Sequence, residues 1–292
     1  EEHIVIFGEV LFDCFVDGSR VLGGSPFNVS WYLTALAAHP LMISRVGNDE
    51  LGKQILDEMS QWGLSTDGMQ IDEDHATGTV QVRIKDNEPD FEIVNSVAYD
   101  YIDEQCLPYL PVGGILYHGS LALRSEISRM ALSNLLMQMD ANIFIDVNLR
   151  DPWWDKSLIQ TISRSACWLK LNQHELDILT EGESTQQRIT HFFSIADNIK
   201  ELILTQGEQG AMAITPEGDL NQVKPQTNQN FVDAVGAGDA FSSVILLGKH
   251  LSWPTELTMQ RAQAFASAVV GLRGATTNDK QFYQTFLEQW QS

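Results

Sequence analysis

Asp233-Ala234-Val235-Gly236-Ala237-Gly238-Asp239-Ala240-Phe241 is the stretch that most strongly constrains the fold. It runs directly into the apolar segment 242–247, so small residues open a buried helix. The run Gly236-Ala237-Gly238 leaves backbone N–H groups unobstructed at the helix N-terminus, where the helix dipole favours an anion. Asp239 falls in the first helical turn and can accept a proton from an attacking hydroxyl there. The same residues also fit a tight turn followed by a capping aspartate.

Outward from this stretch, short apolar runs alternate with helical segments. The predicted strands are His3–Phe7, Leu41–Val46, Gly114–His118, Asn142–Val147, Cys167–Leu171 and Glu201–Thr205. The predicted helices include Phe27–Ala38, Asp49–Trp62 and Ser125–Met139. This rhythm predicts an α/β fold, a doubly wound, mostly parallel sheet flanked by helices.

The pattern changes to alternation between Thr77 and Val94, with a polar turn at Asp86-Asn87-Glu88-Pro89, which predicts a β-hairpin. No repeat or low-complexity linker separates this hairpin from the rest. We therefore expect a single domain over 1–292, with a small β lid formed from about 13–22 and 77–95.

Composition excludes several classes of protein. The 292 residues carry 39 acidic and 18 basic side chains, and the net charge of −21 repels nucleic acids and anionic membranes. Cys14, Cys106 and Cys167 are too widely spaced for a zinc site and predict reduced, buried thiols. No apolar run approaches the roughly 20 residues of a membrane span, and the first residues lack secretory-signal features. The expectation is a cytoplasmic protein without nucleic acid or membrane partners.

The stretch from Asp233 to Phe241 resembles the C-terminal signature of the ribokinase and fructokinase family, also called the PfkB family of carbohydrate kinases. Gly23-Gly24 with Asn28 is similar to the N-terminal signature of that family, and Asp13 to its early substrate-binding aspartate. The resemblance implies a ribokinase-like fold and phosphoryl transfer from ATP to a sugar hydroxyl. Asp239 would be the catalytic base, Gly236, Ala237 and Gly238 the anion hole, and Asp13, Gly23, Gly24 and Asn28 sugar contacts.

Three further motifs follow in family order, each at the carboxyl end of a predicted strand, the edge where open α/β sheets bind ligands. They are Asp146-Val147-Asn148-Leu149-Arg150, Lys170-Leu171-Asn172-Gln173-His174-Glu175 and Thr205-Gln206-Gly207-Glu208-Gln209-Gly210. The resemblance implies that Arg150 binds substrate from the phosphate side. It assigns Lys170, Asn172, Thr205, Gly207 and Gly210 to the nucleotide, and Asn172 with Glu175 to Mg²⁺ through water and phosphate. Taken singly, these residues also fit loop caps, a solvated lysine and a helix start.

One position departs from the family pattern, because Ala234 stands where the family usually has threonine. Asp233 is retained, and the resemblance places it near a monovalent cation. Activation by K⁺ is left open.

The substrate is less constrained than the reaction. Residues 120–125 and the lid run Phe91-Glu92-Ile93-Val94 most resemble bacterial fructokinases, with Phe91 as a sugar contact. The hairpin offers only Arg83 and Lys85 as cations, which favours a neutral sugar over a sugar phosphate. Fructose is the expected substrate, and a homodimer through the lid the expected assembly. A ribose, 2-keto-3-deoxygluconate or nucleoside kinase stays open, as does a non-catalytic sugar sensor.

Overall fold

A computed structural model describes residues 3–85, 88–225, 235–272 and 274–291 of the chain. The strands are β1 (Ile4–Phe7), β2 (Leu11–Phe15), β3 (Arg20–Gly23), β4 (Leu41–Gly47), β5 (Met69–Asp72), β6 (Gly78–Lys85), β7 (Glu88–Ile93), β8 (Ile115–His118), β9 (Asn142–Asp146), β10 (Trp168–Asn172), β11 (Glu201–Thr205), β12 (Ala211–Ile214) and β13 (Leu220–Val223). The α-helices are α1 (Ser25–Ala35), α2 (Glu50–Trp62), α3 (Glu126–Met139), α4 (Lys156–Ser163), α5 (Gln173–Leu179), α6 (Thr185–Ile195), α7 (Ala237–His250), α8 (Thr255–Val269) and α9 (Lys280–Gln291). Short 3₁₀ helices cover Ala98–Tyr101, Glu104–Cys106, Leu121–Arg124 and Gly207–Gln209.

The main sheet has the strand order β13-β12-β11-β10-β9-β8-β1-β4-β5 within the described ranges. Its pairings are parallel from β11 through to β5, and antiparallel where β12 and β13 extend the edge. The chain moves outward from β1 in both directions, so β1 and β8 mark the point where the strand order reverses. Ligand crevices in such sheets form at this point, beyond the carboxyl ends of the strands.

Helices cover both faces of the sheet because its strands are apolar on both faces. In β1, Ile4 and Ile6 join the core cluster that includes residues of α1, α7, α8 and α9, while Val5 and Phe7 join residues of α3 on the opposite face. A third cluster packs α4, α5 and α6 against β9, β10 and β11. The doubly wound α/β prediction is confirmed.

The predicted helix boundaries agree with the structure where the sequence contains recognisable capping residues. Asp49 caps α2 by accepting from the Gly52 N–H, and Gly63 ends it in the left-handed conformation. The first helix starts two residues earlier than predicted, at Ser25, because Gly24 turns the chain with φ 105° and Pro26 suits the first helical turn.

A second, four-stranded sheet has the order β3-β2-β6-β7. It contains both segments predicted for the lid, and the hairpin prediction is confirmed in β6 and β7. Asp49 anchors its base, since its carboxylate accepts from the backbone N–H and the hydroxyl of Thr77, the residue just before β6. The predicted turn residues Asp86 and Asn87 lie outside the described residues.

The cysteine prediction needs one correction. All three thiols are free, but Cys106 is exposed and Cys14 and Cys167 are only half-buried. Cys106 is the last residue of a short 3₁₀ helix on the surface rather than part of a core strand. None of the helices in the described ranges is long and apolar enough to cross a lipid bilayer.

Candidate active site

Asp239 lies in the first turn of α7, and its carboxylate is held by two side chains from α1. Oδ1 accepts from the Ser25 hydroxyl at 2.6 Å, and Oδ2 accepts from the Asn28 amide at 2.7 Å. The N-cap residue of α7 is Gly236, which has no side chain with which to cap the helix. The capping interpretation of Asp239 is therefore wrong, because its oxygens point to α1 rather than to the backbone of its own helix.

The environment of Asp239 shifts its proton affinity upward. Burial raises the pKa of the carboxyl above its ordinary value, hydrogen bonds from Asn28 and Ser25 work against that rise, and the nearby Asp146 charge adds to it. The net direction is upward. A base with a raised pKa takes a proton from a hydroxyl more readily than an exposed aspartate does.

The predicted anion hole is a glycine turn packed tightly against the rest of the chain. Gly236 has φ 81°, and a Cβ there would lie 2.5 Å from the Ala275 Cα, so a side chain is excluded on two grounds. Ala237 and Gly238 follow in the first turn of α7, and Gly238 is exposed. The first N–H groups of a helix have no intrahelical acceptor, so those of Ala237 and Gly238 are suited to an anion.

A buried ion pair lies directly beneath this turn. The Lys170 ammonium contacts Asp146 at 2.8 Å, and Ser242 donates to the same Asp146 oxygen at 2.7 Å. The Lys170 Nζ lies 3.8 Å from the point where a Cβ of Gly238 would stand. The alternative interpretation of Lys170 as a solvated lysine is therefore wrong, because its ammonium is buried and paired with Asp146. Its positive charge lies next to Gly238 of the predicted anion hole.

The predicted sugar side of the site comprises the lid and the start of α1. A Cβ on Gly23 would lie 3.7 Å from the Asp13 carboxylate, because β2 and β3 pair closely. Burial raises the pKa of Asp13, and the Arg150 charge lowers it. The lid register puts Phe91 on the same face as Asp13, through the pairs Phe15↔Val82 and Val82↔Phe91. Phe91 is more than half exposed there.

Arg150 follows β9 and is exposed. Its charge acts on Asp13 and on Glu9, which lies just beyond β1. The Arg150 charge lowers the pKa of both carboxyls, and its position on the phosphate side stays a prediction.

Asn172 and Glu175 form a reciprocal capping box at the start of α5. The Asn172 side chain accepts from the Glu175 N–H at 2.9 Å, and the Glu175 carboxylate accepts from the Asn172 N–H at 2.8 Å. The other Glu175 oxygen accepts from the Leu149 N–H at 2.8 Å. This carboxylate therefore ties the loop after β9 to the last residue of β10. Across the described ranges, no group of three or more His, Cys, Asp or Glu side chains could hold a metal.

A cavity of about 440 Å³ opens at the carboxyl ends of β10 and β11. It is lined by Asn172, Gln173, His174, Thr185, Thr205, Gln206, Gly207 and Gln209. Three of the five predicted nucleotide residues, Asn172, Thr205 and Gly207, line this cavity. Gly210 is required at its position, because its φ is 98° and a Cβ there would overlap the Val223 carbonyl. Asp233 and Ala234, the predicted cation position, lie outside the described residues.

Sequence reasoning missed four side chains that build the site. Ser25 directly follows the quoted pair Gly23-Gly24, and Ser242 lies one turn beyond Asp239, so a helical-wheel projection could have suggested Ser242. Glu9 lies just after the first strand and belongs to none of the quoted motifs. Tyr117, whose hydroxyl lies 3.3 Å from Asp146, carries no motif signal because it reads as an ordinary strand residue.

The fold and site define a carbohydrate kinase of the ribokinase-like class, and residues 5–281 match the pfkB family of carbohydrate kinases, to which this chain belongs. The chain is an ATP-dependent sugar kinase. It is 28% identical to the fructokinase of Vibrio alginolyticus over 291 residues, covering 94% of this chain and 93% of that protein.

Two solved structures share the fold. Fructokinase from Vibrio cholerae O395, bound to fructose, ADP and calcium, has a TM-score of 0.84 at 23% identity, covering 98% of this chain and 99% of its own. Aminoimidazole riboside kinase from Salmonella enterica, bound to aminoimidazole riboside and an ATP analogue, gives the same TM-score, identity and coverage. The fold alone therefore does not select between a ketose and a riboside.

Proposed function

We propose that this kinase transfers the γ-phosphoryl group of ATP to a hydroxyl of D-fructose or a closely similar neutral sugar, with Asp239 as the general base. The observation that carries the proposal is the Asp239 carboxylate, held by Ser25 and Asn28 beside the open N–H groups of the Gly236 turn. Fructose is favoured by the fructokinase relatives and by the carboxyls of Glu9 and Asp13 on the sugar side. These carboxyls would repel a phosphorylated acceptor.

In the proposed reaction the sugar hydroxyl gives its proton to Asp239 as its oxygen forms a bond to the γ-phosphorus. The bond between that phosphorus and the β–γ bridging oxygen breaks, and ADP leaves. The N–H groups of Gly236, Ala237 and Gly238 stabilise the charge on the transferring group, and the Lys170 field supports them from below.

The residues near the nucleotide cavity suit a metal ion that arrives with ATP rather than a protein-held ion. Asn172 and Glu175 would hold Mg²⁺ through water and phosphate, because both Glu175 oxygens already accept a backbone N–H and keep further lone pairs. Such an ion offsets phosphate charge when bound. Asp233 is proposed as a K⁺ ligand on the family pattern alone. Arg150 and Phe91 are proposed as sugar contacts, and the cytoplasm as the location.

The proposal is tested first by a screen of ADP release with fructose, ribose, 2-keto-3-deoxygluconate, adenosine and sugar phosphates. Turnover that depends on fructose more than on the others supports it. Turnover with adenosine or a riboside alone would replace the substrate, and sugar binding without turnover would identify a sensor.

Asp239→Asn tests the general base. The amide oxygen can still accept from Asn28 and the amide nitrogen can donate to the Ser25 oxygen, so the site keeps its hydrogen bonds. The amide cannot take a proton, so kcat should fall by roughly 10²- to 10⁴-fold. The dissociation constant for the sugar should change little.

The same variant should melt no lower than the wild type at neutral pH. The pKa of Asp239 is raised in the folded state, so the free energy of unfolding falls as pH rises through that pKa. An amide does not ionise, so the variant does not have this loss of stability. A near-normal kcat in Asp239→Asn would exclude this residue as the base.

A further inference from the structure

Glu9 stands at the centre of the sheet edge where the substrate cleft forms. It is the second residue after β1, the strand from which the chain extends in both directions. Crevices at such a point are the usual ligand sites of open α/β sheets. Neither the family motifs nor the proposed reaction uses this residue.

Close backbone packing holds Glu9 against the start of α1. A Cβ on Gly8 would lie 2.5 Å from the Pro26 side chain, and a Cβ on Gly24 would lie 2.7 Å from the Glu9 carbonyl oxygen. Both glycines also have positive φ, so neither position tolerates a side chain without strain. Glu9 is therefore fixed relative to the helix that carries Asn28.

The Glu9 carboxyl is buried and incompletely paired. The residue is 4% exposed, and its Oε2 has no hydrogen-bond partner among the described residues. The Asn28 Oδ1 is unpartnered in the same part of the structure, while its amide nitrogen holds Asp239. Buried polar atoms are nearly always paired, so two unpaired acceptors around the catalytic carboxylate indicate a missing donor. Sugar hydroxyls are such donors.

We propose that Glu9 is a further specificity-determining residue, whose carboxyl binds an acceptor-sugar hydroxyl other than the one that is phosphorylated. This inference rests on the proposed sugar-kinase function. The proposed contact explains why the Glu9 carboxyl is buried without an ion-pair partner. The ligand it recognises is a neutral polyol, since a phosphate or carboxylate at the same place would be repelled.

The charge around Glu9 makes the contact sensitive to pH. Burial raises the pKa of Glu9 to about 7, against the opposing charges of Arg150 and Arg124 and with the support of Asp239. Tyr99 and Tyr117 face the same carboxyl and are neutral, because burial raises the pKa of both hydroxyls above the ordinary value. Across neutral pH the carboxyl changes from a neutral to a charged acceptor, and a hydrogen bond to a charged acceptor is the stronger one.

The experiment compares D-fructose with its monodeoxy derivatives in the wild type, Glu9→Met and Glu9→Gln. In the wild type, removal of the contacted hydroxyl should lower kcat/KM by about 10- to 100-fold. In Glu9→Met, kcat/KM for fructose should fall by about the same factor relative to the wild type. Removal of the same hydroxyl from the sugar should then lower kcat/KM of this variant by less than about threefold. Glu9→Gln should recover much of the discrimination, because an amide also pairs with a hydroxyl.

The pH profile gives a second measurement that does not depend on the methionine variant folding. The ratio of kcat/KM for fructose to that for the deoxy sugar should rise between pH 6 and pH 8 in the wild type and stay flat in Glu9→Gln. Ionisation of Asp239 affects both sugars equally and cancels in this ratio. Glu201→Gln is the matched control, since Glu201 is also buried but pairs with Lys249 at the amino end of β11, away from the site.

Each outcome decides the inference. The inference is supported if the effect of Glu9→Met on kcat/KM depends on one sugar hydroxyl only. The ratio of kcat/KM for fructose to that for the corresponding deoxy sugar must also rise with pH only in proteins that retain Glu9. Equal losses for all sugars in Glu9→Met, or a pH-dependent ratio in Glu9→Gln, would overturn it while the wild type remains an active sugar kinase. A wild type without sugar-dependent turnover would overturn the proposed function, and this inference with it.

Discussion

At the scale of single residues, the site depends on how one aspartate is held. Asp239 has its two oxygens bound by different side chains of α1, so its orientation is set by residues more than 200 positions away in the chain. The two donors favour the charged form and partly offset the effect of burial on the pKa. The balance between burial and these donors sets the pH range in which the base is ready.

Ser25→Ala should move the acid limb of the kcat/KM profile to higher pH. Loss of the hydroxyl removes a donor that stabilises the carboxylate, so the pKa of Asp239 rises further and protonation disables the base sooner. At pH 8 the variant should keep turnover within about tenfold of the wild type.

The control for this prediction is Ser30→Ala on the same helix, since the Ser30 hydroxyl donates to the Pro26 carbonyl rather than to the site. Ser30→Ala should leave the acid limb of the kcat/KM profile at its wild-type pH. If the acid limb also stays at that pH in Ser25→Ala, the Ser25 hydroxyl does not affect the pKa of Asp239.

At the scale of elements, one buried network joins three parts of the fold under the anion hole. Asp146 ends β9, Lys170 lies in β10 and Ser242 belongs to α7. Glu175 joins the loop after β9 to the end of β10 just outside this network. The carboxyl ends of the strands are thereby locked to the helix that carries the base.

Lys170→Met and Asp146→Asn should each lower the free energy of unfolding by about 3–5 kcal/mol, because each leaves a buried partner uncompensated. The double variant should recover most of that stability, since no lone charge remains. Its kcat should stay low, because the positive charge beneath Gly238 is gone. Denaturant unfolding and steady-state kinetics measure the two effects separately.

The matched control is the buried pair Lys249 and Glu201, which lies at the amino edge of β11. Its double replacement by methionine and glutamine should leave kcat unchanged. Wild-type kcat in the Asp146→Asn/Lys170→Met protein would remove Lys170 from the electrostatics of phosphoryl transfer.

At the scale of the whole molecule, the lid sheet exposes apolar side chains that a monomer leaves in water. Phe15 and Val21 lie on the Asp13 face of the lid, and Val16 at its tip is 81% exposed. Apolar clusters of this kind mark interaction surfaces. We propose that two copies of the chain cover them by packing lid against lid.

The wild type should therefore run as a dimer in size-exclusion chromatography with light scattering. Phe15→Asp combined with Val16→Asp should give a monomer, because two charges would be buried in the interface. Val112→Asp is the control, since Val112 is 73% exposed but lies in the loop before β8. A monomeric wild type would refute the lid interface.

By itself, the sequence determined the α/β class, the lid hairpin and most parallel strands, because these depend on local periodicity. A short motif also predicted Asp239 as the base. The edge hairpin of β12 and β13 escaped prediction, since its short strands carry a weak pattern. Tertiary structure alone decided that Ser25 and Asn28 hold Asp239, that Lys170 is a buried partner of Asp146, and that Glu9 is buried against the turn before α1. Such contacts join residues distant in the chain, and only the packing of strands and helices brings them within hydrogen-bond distance.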